Sequence, residues 1–379
     1  MPLHDVPVRL AIAQMGMVSP IGAELATSCA SARANLSRRS ELSYRVVGPD
    51  GDPLKASGHQ AEYLTKGFRG DARLVRLLAG ALDDLVANMA GDAWASTIDV
   101  FLAIPASFRD DPDQKVDLFS SPWESTQTAP ADVVRGRSIV EKALAAARVP
   151  SKVGALSVIT QGQASVGVAL EAVAVGFGKG DQRPALILAV DAPVDPERVA
   201  GLDKRGRLAG PNVPAGAAPG ELGAAMLVTN YDAAISQRLP AIGQILQPQS
   251  LESQPNFSAD APPDGRALAS LAASVIQSMP AFGLPSDVWW ILDMNGETYR
   301  AREWGTAMVH LKHGLPSIDT QNVWLPAANF GDCGAATGLA ATALAVRGFA
   351  RRYAPATGAL VLCAADGARR TAFAVAGWA

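Results

Sequence analysis

The stretch Val158-Ile159-Thr160-Gln161-Gly162-Gln163-Ala164-Ser165-Val166-Gly167 has the shape of a nucleophile elbow. An apolar strand leads into a turn of small residues and then into an apolar helix. Elbows of this kind lift one reactive side chain above a sheet. Here that side chain belongs to Gln163, and a carboxamide is a poor nucleophile and no general base. The frame of an acyl-transfer site is present without its chemistry.

Strands and helices alternate outward from this stretch. Residues 154–160 form the elbow strand and 164–176 the helix behind it. Upstream, residues 8–17 form a buried strand, followed by the turn Ser19-Pro20-Ile21-Gly22 and a helix over 23–36. Residues 40–66 are mixed, with turn signals from Gly48 to Pro53. Leu74, Leu77, Leu78, Ala81, Leu82, Leu85 and Val86 recur at helical spacing behind Asp71, the expected cap. Residues 100–104 make a short strand closed by Pro105. The polar stretch 105–136, with Asp110, Asp111, Asp113 and Trp123, has the length of a functional or partner-binding loop. A helix over 134–147 leads back to the elbow. Downstream, Ala185 to Val190 is continuously apolar, as expected of a strand covered on both faces. A Gly/Pro-rich loop over 200–220 and a strand over 221–229 follow.

The second half repeats the theme. It has a strand at 242–246, a Pro/Ser/Asp-rich loop at 247–265 and a helix at 267–279. Val288 to Asp293 form a strand running into Asn295-Gly296. Adjacent Trp289 and Trp290 must point to opposite faces of that strand. A glycine-rich turn over 329–334 opens the helix 335–353, and 359–363 with 371–375 form a closing hairpin. Two similar α/β halves, 1–235 and 236–379, are expected.

Bulk properties narrow the function classes. The chain has 379 residues, 49% hydrophobic and 18% charged, enough for one large core or two fused ones. A net charge of -3 gives no global attraction to nucleic acid or to an anionic membrane. Cys29, Cys333 and Cys363 lie far apart, with no CxxC pair and no metal-ligand spacing. Neither a disulfide framework, a metal nor a cofactor is expected. The N-terminus lacks a signal-peptide pattern and no apolar run is long enough to span a bilayer, so the expected setting is the cytoplasm. Aromatics are only 6%, and the Ala/Gly/Arg-rich composition points to a GC-rich bacterium.

Three segments in order resemble the β-ketoacyl synthase branch of the thiolase superfamily. Residues 12–22, Ile-Ala-Gln-Met-Gly-Met-Val-Ser-Pro-Ile-Gly, are similar to that family's opening "tGmGmvsPlG". Residues 218–228, Ala-Pro-Gly-Glu-Leu-Gly-Ala-Ala-Met-Leu-Val, resemble its "vpGEGaaalvl" strand, and Phe330 to Gly338 resemble "tGHtlGAAG". The resemblance covers nearly the whole chain. It implies a thiolase-like fold, with two similar halves forming a five-layered α-β-α-β-α core. It also implies a dimer, because in this family the strand beside the elbow pairs across a two-fold axis.

The family uses a cysteine to attack an acyl thioester, and two histidines to bind the thioester oxygen and assist malonyl decarboxylation. Transposed position by position, the resemblance implies that Gln163 replaces the cysteine, Asn295 the first histidine and Asp332 the second. The C-terminal "GFGGtN" loop falls near residues 365–370 and is not recognisable. Of the four histidines, His4, His59, His310 and His313, none falls in a motif. Some relatives with glutamine at the nucleophile position are decarboxylating loading domains, but those keep the histidines. A carboxylate at 332 would repel a developing oxyanion.

A binding, adaptor or scaffold role with a degenerate site is therefore expected. One alternative is a chain-length-factor-like inactive subunit of a heterodimeric ketosynthase in fatty-acid or polyketide synthesis. The other is a divergent acyltransferase using Cys333, next to a helix start where the dipole could lower a thiol pKa. Each replacement also has a structural role. Asp332 suits a helix N-cap, Asn295 a turn before Gly296, Gln163 a partner for backbone donors, and Cys333 a buried small residue. Glu221 is expected to be a buried structural residue. Implied partners are a second thiolase-fold chain and either an acyl carrier protein, met by Arg351-Arg352 or Arg369-Arg370, or a secretion-related protein. The loops 105–136 and 200–218 are expected at the pocket mouth.

Overall fold

Continuous apolar runs become central strands, and one-faced runs become the helices covering them. The computed structural model describes residues 8–89, 97–107, 128–253 and 263–378. The first half runs β1 (Arg9–Val18), α1 (Leu25–Arg33), β2 (Ser40–Val47), β3 (Pro53–Gly58), α2 (Glu62–Thr65), α3 (Gly70–Ala87), β4 (Thr97–Ala103), α4 (Pro130–Ala146), β5 (Lys152–Ile159), α5 (Ser165–Gly178), β6 (Ala185–Asp191), α6 (Pro196–Lys204), β7 (Leu222–Asn230) and α7 (Tyr231–Ser236). The second runs β8 (Gly243–Glu252), α8 (Arg266–Ser278), β9 (Val288–Leu292), α9 (Thr298–Gly314), β10 (Val323–Trp324), α10 (Pro326–Phe330), α11 (Thr337–Ala350), β11 (Gly358–Ala364) and β12 (Arg369–Gly377).

Ten strands join in the order β10-β9-β11-β12-β8-β1-β7-β6-β4-β5, with β2 and β3 in a separate hairpin. Outward from the middle, both arms have the same topology. β7 and β12 are antiparallel to both neighbours, whereas the outer strands pair in parallel. The arms meet through a short antiparallel ladder between residues 9–12 and 243–246.

Three apolar clusters occupy the spaces between layers. The central one joins α5 and α11 to the inner faces of both arms. The outer ones join α3 and α4 to the first arm, and α8 and α9 to the second. The result is the five-layered α-β-α-β-α arrangement. Side-chain alternation carries it: in β6, Ala185, Ile187 and Ala189 face the central cluster while Leu186, Leu188 and Val190 face outward. Trp289 likewise packs centrally, edge-on to Trp324 at 4.9 Å, and Trp290 packs outward at 5.3 Å from Trp304.

Several local expectations are corrected. Helix α1 is shorter than 23–36. Asp71 lies in the first turn of α3 rather than at its cap, which is Arg69, and pairs with Arg135 at 2.7 Å. The mixed stretch 40–66 is the β2–β3 hairpin plus α2. Strand β8 continues to Glu252 instead of ending near 246. Its Gln247 adopts φ +46, which breaks the apolar alternation at an irregularity in the β12 pairing. Helix α6 runs into the 200–220 loop, and α4 starts at Pro130 with proline in its first turn. Asp110, Asp111, Asp113 and Trp123 lie outside the described residues, as does His4.

Candidate functional site

The two central helices start in the same way. After β5, Gly162 takes φ +50, a 3-10 turn spans Gly162–Ala164, and α5 follows. After α10, Gly334 takes φ +46, a 3-10 turn spans Gly334–Ala336, and α11 follows. A Cβ on Gly334 would sit 2.0 Å from Asp191 Oδ2, so this position excludes any other residue on both conformation and space. The paired turns aim Gln163 and Asp332 at each other. The Asp332 backbone is pinned from the far side, because its N–H donates to Ala218 O at 2.7 Å and its carbonyl accepts from Gly220 N at 2.9 Å.

Gln163 Nε2 donates to Asp332 Oδ1 at 3.1 Å. Asn295, on the turn between β9 and α9, donates from Nδ2 to Asp332 Oδ2 at 2.7 Å and to Glu297 Oε2 at 2.9 Å. Asn295 Oδ1 accepts from Glu297 N at 3.1 Å. Asp332 Oδ1 also accepts from Gly334 N at 3.0 Å, so the carboxylate closes the turn before α11. Gln163, Asn295 and Asp332 thus form one hydrogen-bonded cluster. The Gln163 amide nitrogen bonds Asp332, a side chain rather than a backbone group.

A second tier of charges extends the cluster. Arg207, from the 200–220 loop, donates to both oxygens of Glu297 at 2.6 and 2.8 Å and to both of Asp366 at 2.6 and 3.1 Å. Arg300 reaches Asp366 at 2.7 Å and Asp293 at 3.0 Å. Burial opposes charge on Asp366, but Arg207 and Arg300 outweigh it and hold the carboxyl at about 2. For Asp293 burial wins over Arg300 and pushes the carboxyl up to about 6. Asp191, at the end of β6, accepts from Arg198 Nη1 at 2.9 Å and from Ala335 N at 3.1 Å. Gln163, Asp191, Arg198, Arg207, Asp332 and Asp366 are among the residues lining a cavity of only about 50 Å³. That is room for a few waters; ligand pockets start at roughly 300 Å³.

Cys333 is buried beside this cluster. Its Sγ lies 3.3 Å from Gly331 O and 3.7 Å from Phe330 O, as a thiol donating to carbonyls. Burial pushes its pKa well up, and the charges of Asp332, Asp191 and Glu221 add to that. Any help from the helix start is outweighed. The other thiols are also buried, Cys29 being pushed up to about 12 mainly by burial.

Glu221 is buried and accepts from Thr65 Oγ1 at 2.6 Å, Arg73 Nη1 at 2.7 Å and the Ala61 N–H. It ties the α2–α3 region to the start of β7. His310 and His313 sit near the end of α9 and do not line the cavity. His59 is buried against the Gly331 turn, and Arg39 Nε donates to its Nε2 at 3.3 Å. Arg370, expected at a carrier-protein surface, is fully buried. It donates to Glu303 at 2.6 Å and to Tyr299 at 2.9 Å, which a hairpin residue facing the outer helical layer must do. Arg207, Glu297, Arg300 and Asp366 were not anticipated from sequence. Glu297 lies two residues after Asn295, but no local pattern joins it to Arg207 or Asp366.

No protein-family model and no curated protein matches the chain. Among solved structures it is similar to the oxazolomycin ketosynthase domain OzmH KS7 from Streptomyces albus JA3453. The TM-score is 0.70 at 13% identity, over 98% of this chain and 74% of that one. It is also similar to the type II polyketide-synthase ketosynthase AntDE, solved bound to a hexaketide and in complex with its acyl carrier protein AntF. There the TM-score is 0.68 at 14% identity, over 98% of this chain and 100% of that one. The ketosynthase from module 6 of the bacillaene synthase of Bacillus subtilis 168 gives 0.69 at 11% identity, over 98% and 72%. At these identities the likeness concerns the fold alone, which is the thiolase-like fold of ketosynthase domains.

Proposed function

We propose that this chain is a ketosynthase-like protein that does not condense acyl groups, and that it serves as a binding, adaptor or scaffold protein. Its two halves, 1–235 and 236–379, frame a former reaction chamber. The hydrogen-bonded cluster of Gln163, Asn295 and Asp332 carries the proposal. A condensing site needs a thiolate and donors that stabilise developing negative charge. Here a carboxamide stands at the nucleophile position and a carboxylate at an oxygen-binding position. Each satisfies the other, in a cavity too small for an acyl chain. The proposed setting is a bacterial cytoplasm. No helix among the described residues is long and apolar enough to cross a membrane.

The test is mass spectrometry after incubation with malonyl and acyl thioesters. The expected result is no mass gain on the protein and no condensed product. Gln163→Cys alone is expected to stay inactive, since no oxygen-binding histidine comes with it. Stable acylation of Cys333, or turnover lost in Cys333→Ala, would instead establish the divergent acyltransferase.

A chain-length-factor-like subunit is the second reading, favoured by the sheet edge. Among the described residues strand β5 is the last strand of its arm, and Val153 on it is 39% exposed. Unpaired edges of this kind invite pairing with another chain. The likeness to AntDE, solved with its carrier protein, supports including an acyl carrier protein or a second thiolase-fold chain among the partners. Val153→Asp is expected to convert a dimer to monomers in sedimentation velocity. An unaltered dimer would rule out this edge. Co-purification with a cysteine-bearing synthase separates the subunit from an independent scaffold.

A further inference from the structure

A second concave site lies between α1 and the end of α11, and it shares no lining residue with the Gln163 cavity. It is an open cleft of about 500 Å³, a volume within the range of roughly 300–1,000 Å³ typical of small-ligand pockets. Ala26 and Ala30 give it an apolar wall, and Arg33, Arg347, Arg351 and Tyr353 a cationic one. The Arg33 guanidinium sits 4.4 Å from the centre of the Tyr353 ring, and Trp324 stacks on the same tyrosine at 6.1 Å. The tyrosine is therefore held in place. Its hydroxyl is nevertheless buried and has no hydrogen-bond partner among the described residues.

The charges are not balanced locally. Among the described residues no carboxylate lies within ion-pair distance of Arg33, Arg347 or Arg351. Asp84 feels Arg347 at longer range. Its oxygens, however, already accept from Leu25 N at 2.7 Å, Met17 N at 3.0 Å and Asn88 Nδ2 at 3.0 Å. Arg33 and Arg347 occupy the last turns of their helices, where the helix dipole favours cations. Two C-terminal dipoles supply only about half a negative charge each. Three guanidiniums less that one unit leave about two positive charges around one cleft.

We propose that this cleft binds a small organic phosphate monoester. The phosphate, which carries about -1.5 to -2 at neutral pH, would match the excess. The planar guanidinium forks suit its oxygens. The organic tail lies along Ala26 and Ala30. A monocarboxylate would neutralise only half of the charge.

Titration calorimetry on the full chain tests this with three probes: hexyl phosphate, inorganic phosphate and hexanoate. Hexyl phosphate is expected to bind saturably at one site, more tightly than inorganic phosphate and than hexanoate. The double variant Arg347→Gln/Arg351→Gln should weaken it about 10-fold or more, the loss expected when charge-assisted hydrogen bonds go. Arg33→Gln serves in place of the double variant if that variant does not fold. Arg352→Gln, an exposed neighbour outside the cleft, controls for net charge. Three outcomes would overturn the proposal. These are no saturable binding at about 10 mM hexyl phosphate, an Arg352→Gln loss equal to that of the double variant, or hexanoate binding as tightly as hexyl phosphate.

Discussion

At the scale of the residue, Asp332 is the centre of the cluster it forms with Gln163 and Asn295. It accepts from Gln163, Asn295 and Gly334, so its carboxylate links the two halves and closes the turn before α11. Removing it leaves partly buried donors unmatched, and an unmatched buried donor costs about 1–3 kcal/mol. Asp332→Ala should lower unfolding free energy by about 2 kcal/mol, measured in urea. A loss under about 0.5 kcal/mol would mean that the amides simply rebond to water. The identities at 163, 295 and 332 were legible in sequence, because each sits in a short motif whose glycines mark the turn. Their mutual bonding was not. The same holds for Arg207, whose partners lie 90 and 159 residues further along the chain.

At the scale of the element, the central layer depends on the close approach of α5 and α11. A Cβ on Gly338 would sit 2.6 Å from Val166 Cβ, and one on Gly167 would sit 2.4 Å from Thr371 Cβ. Helix propensity alone favours alanine over glycine by about 1 kcal/mol. Overpacking a tight core contact costs about 1–3 kcal/mol, so the clash should win. Gly338→Ala is expected to lower stability by about 1 kcal/mol, and thermal unfolding reads the sign. A stabilised variant would show that α5 and α11 can move apart without loss. Element types were largely legible because apolar alternation distinguishes strand from helix. Ends were less so: β8 was underestimated where Gln247 breaks the alternation with a left-handed backbone, and the β2–β3 hairpin has outward positions too polar and exposed to read as strand.

At the scale of the whole molecule, His59 sits between the Pro219 segment and the Gly331 turn. Its N–H donates to Pro219 O at 2.8 Å, and its ring packs on Gly331. Burial, reinforced by the Arg39 charge, lowers its pKa from the ordinary 6.5 to about 4. Between those values the unfolded chain takes up a proton that the folded chain refuses. The His59 contribution to stability therefore falls as pH drops from 6.5 through about 4, while Asp293, whose raised pKa favours the folded chain in the same window, contributes in the opposite direction. His59→Gln should remove that contribution, so that its stability relative to wild type rises as pH drops from 6.5 to about 4, in urea titrations at several pH values. Parallel curves would show that His59 makes no such contribution.

The sequence by itself determined the layered α/β architecture and the glycine turns that open α5 and α11. These are local properties, set by residue type and spacing along a few turns of chain. Only the tertiary structure decided that Gln163, Asn295 and Asp332 satisfy one another, and that Arg207 and Arg300 fill the space behind them. It also decided that three arginines converge on a separate cleft between α1 and α11. Hydrogen bonds and charges act over a few ångströms in space, and Gln163 lies 169 residues from Asp332 along the chain. No periodicity along the chain encodes which distant side chains will meet, because that depends on how the two arms and their helices pack.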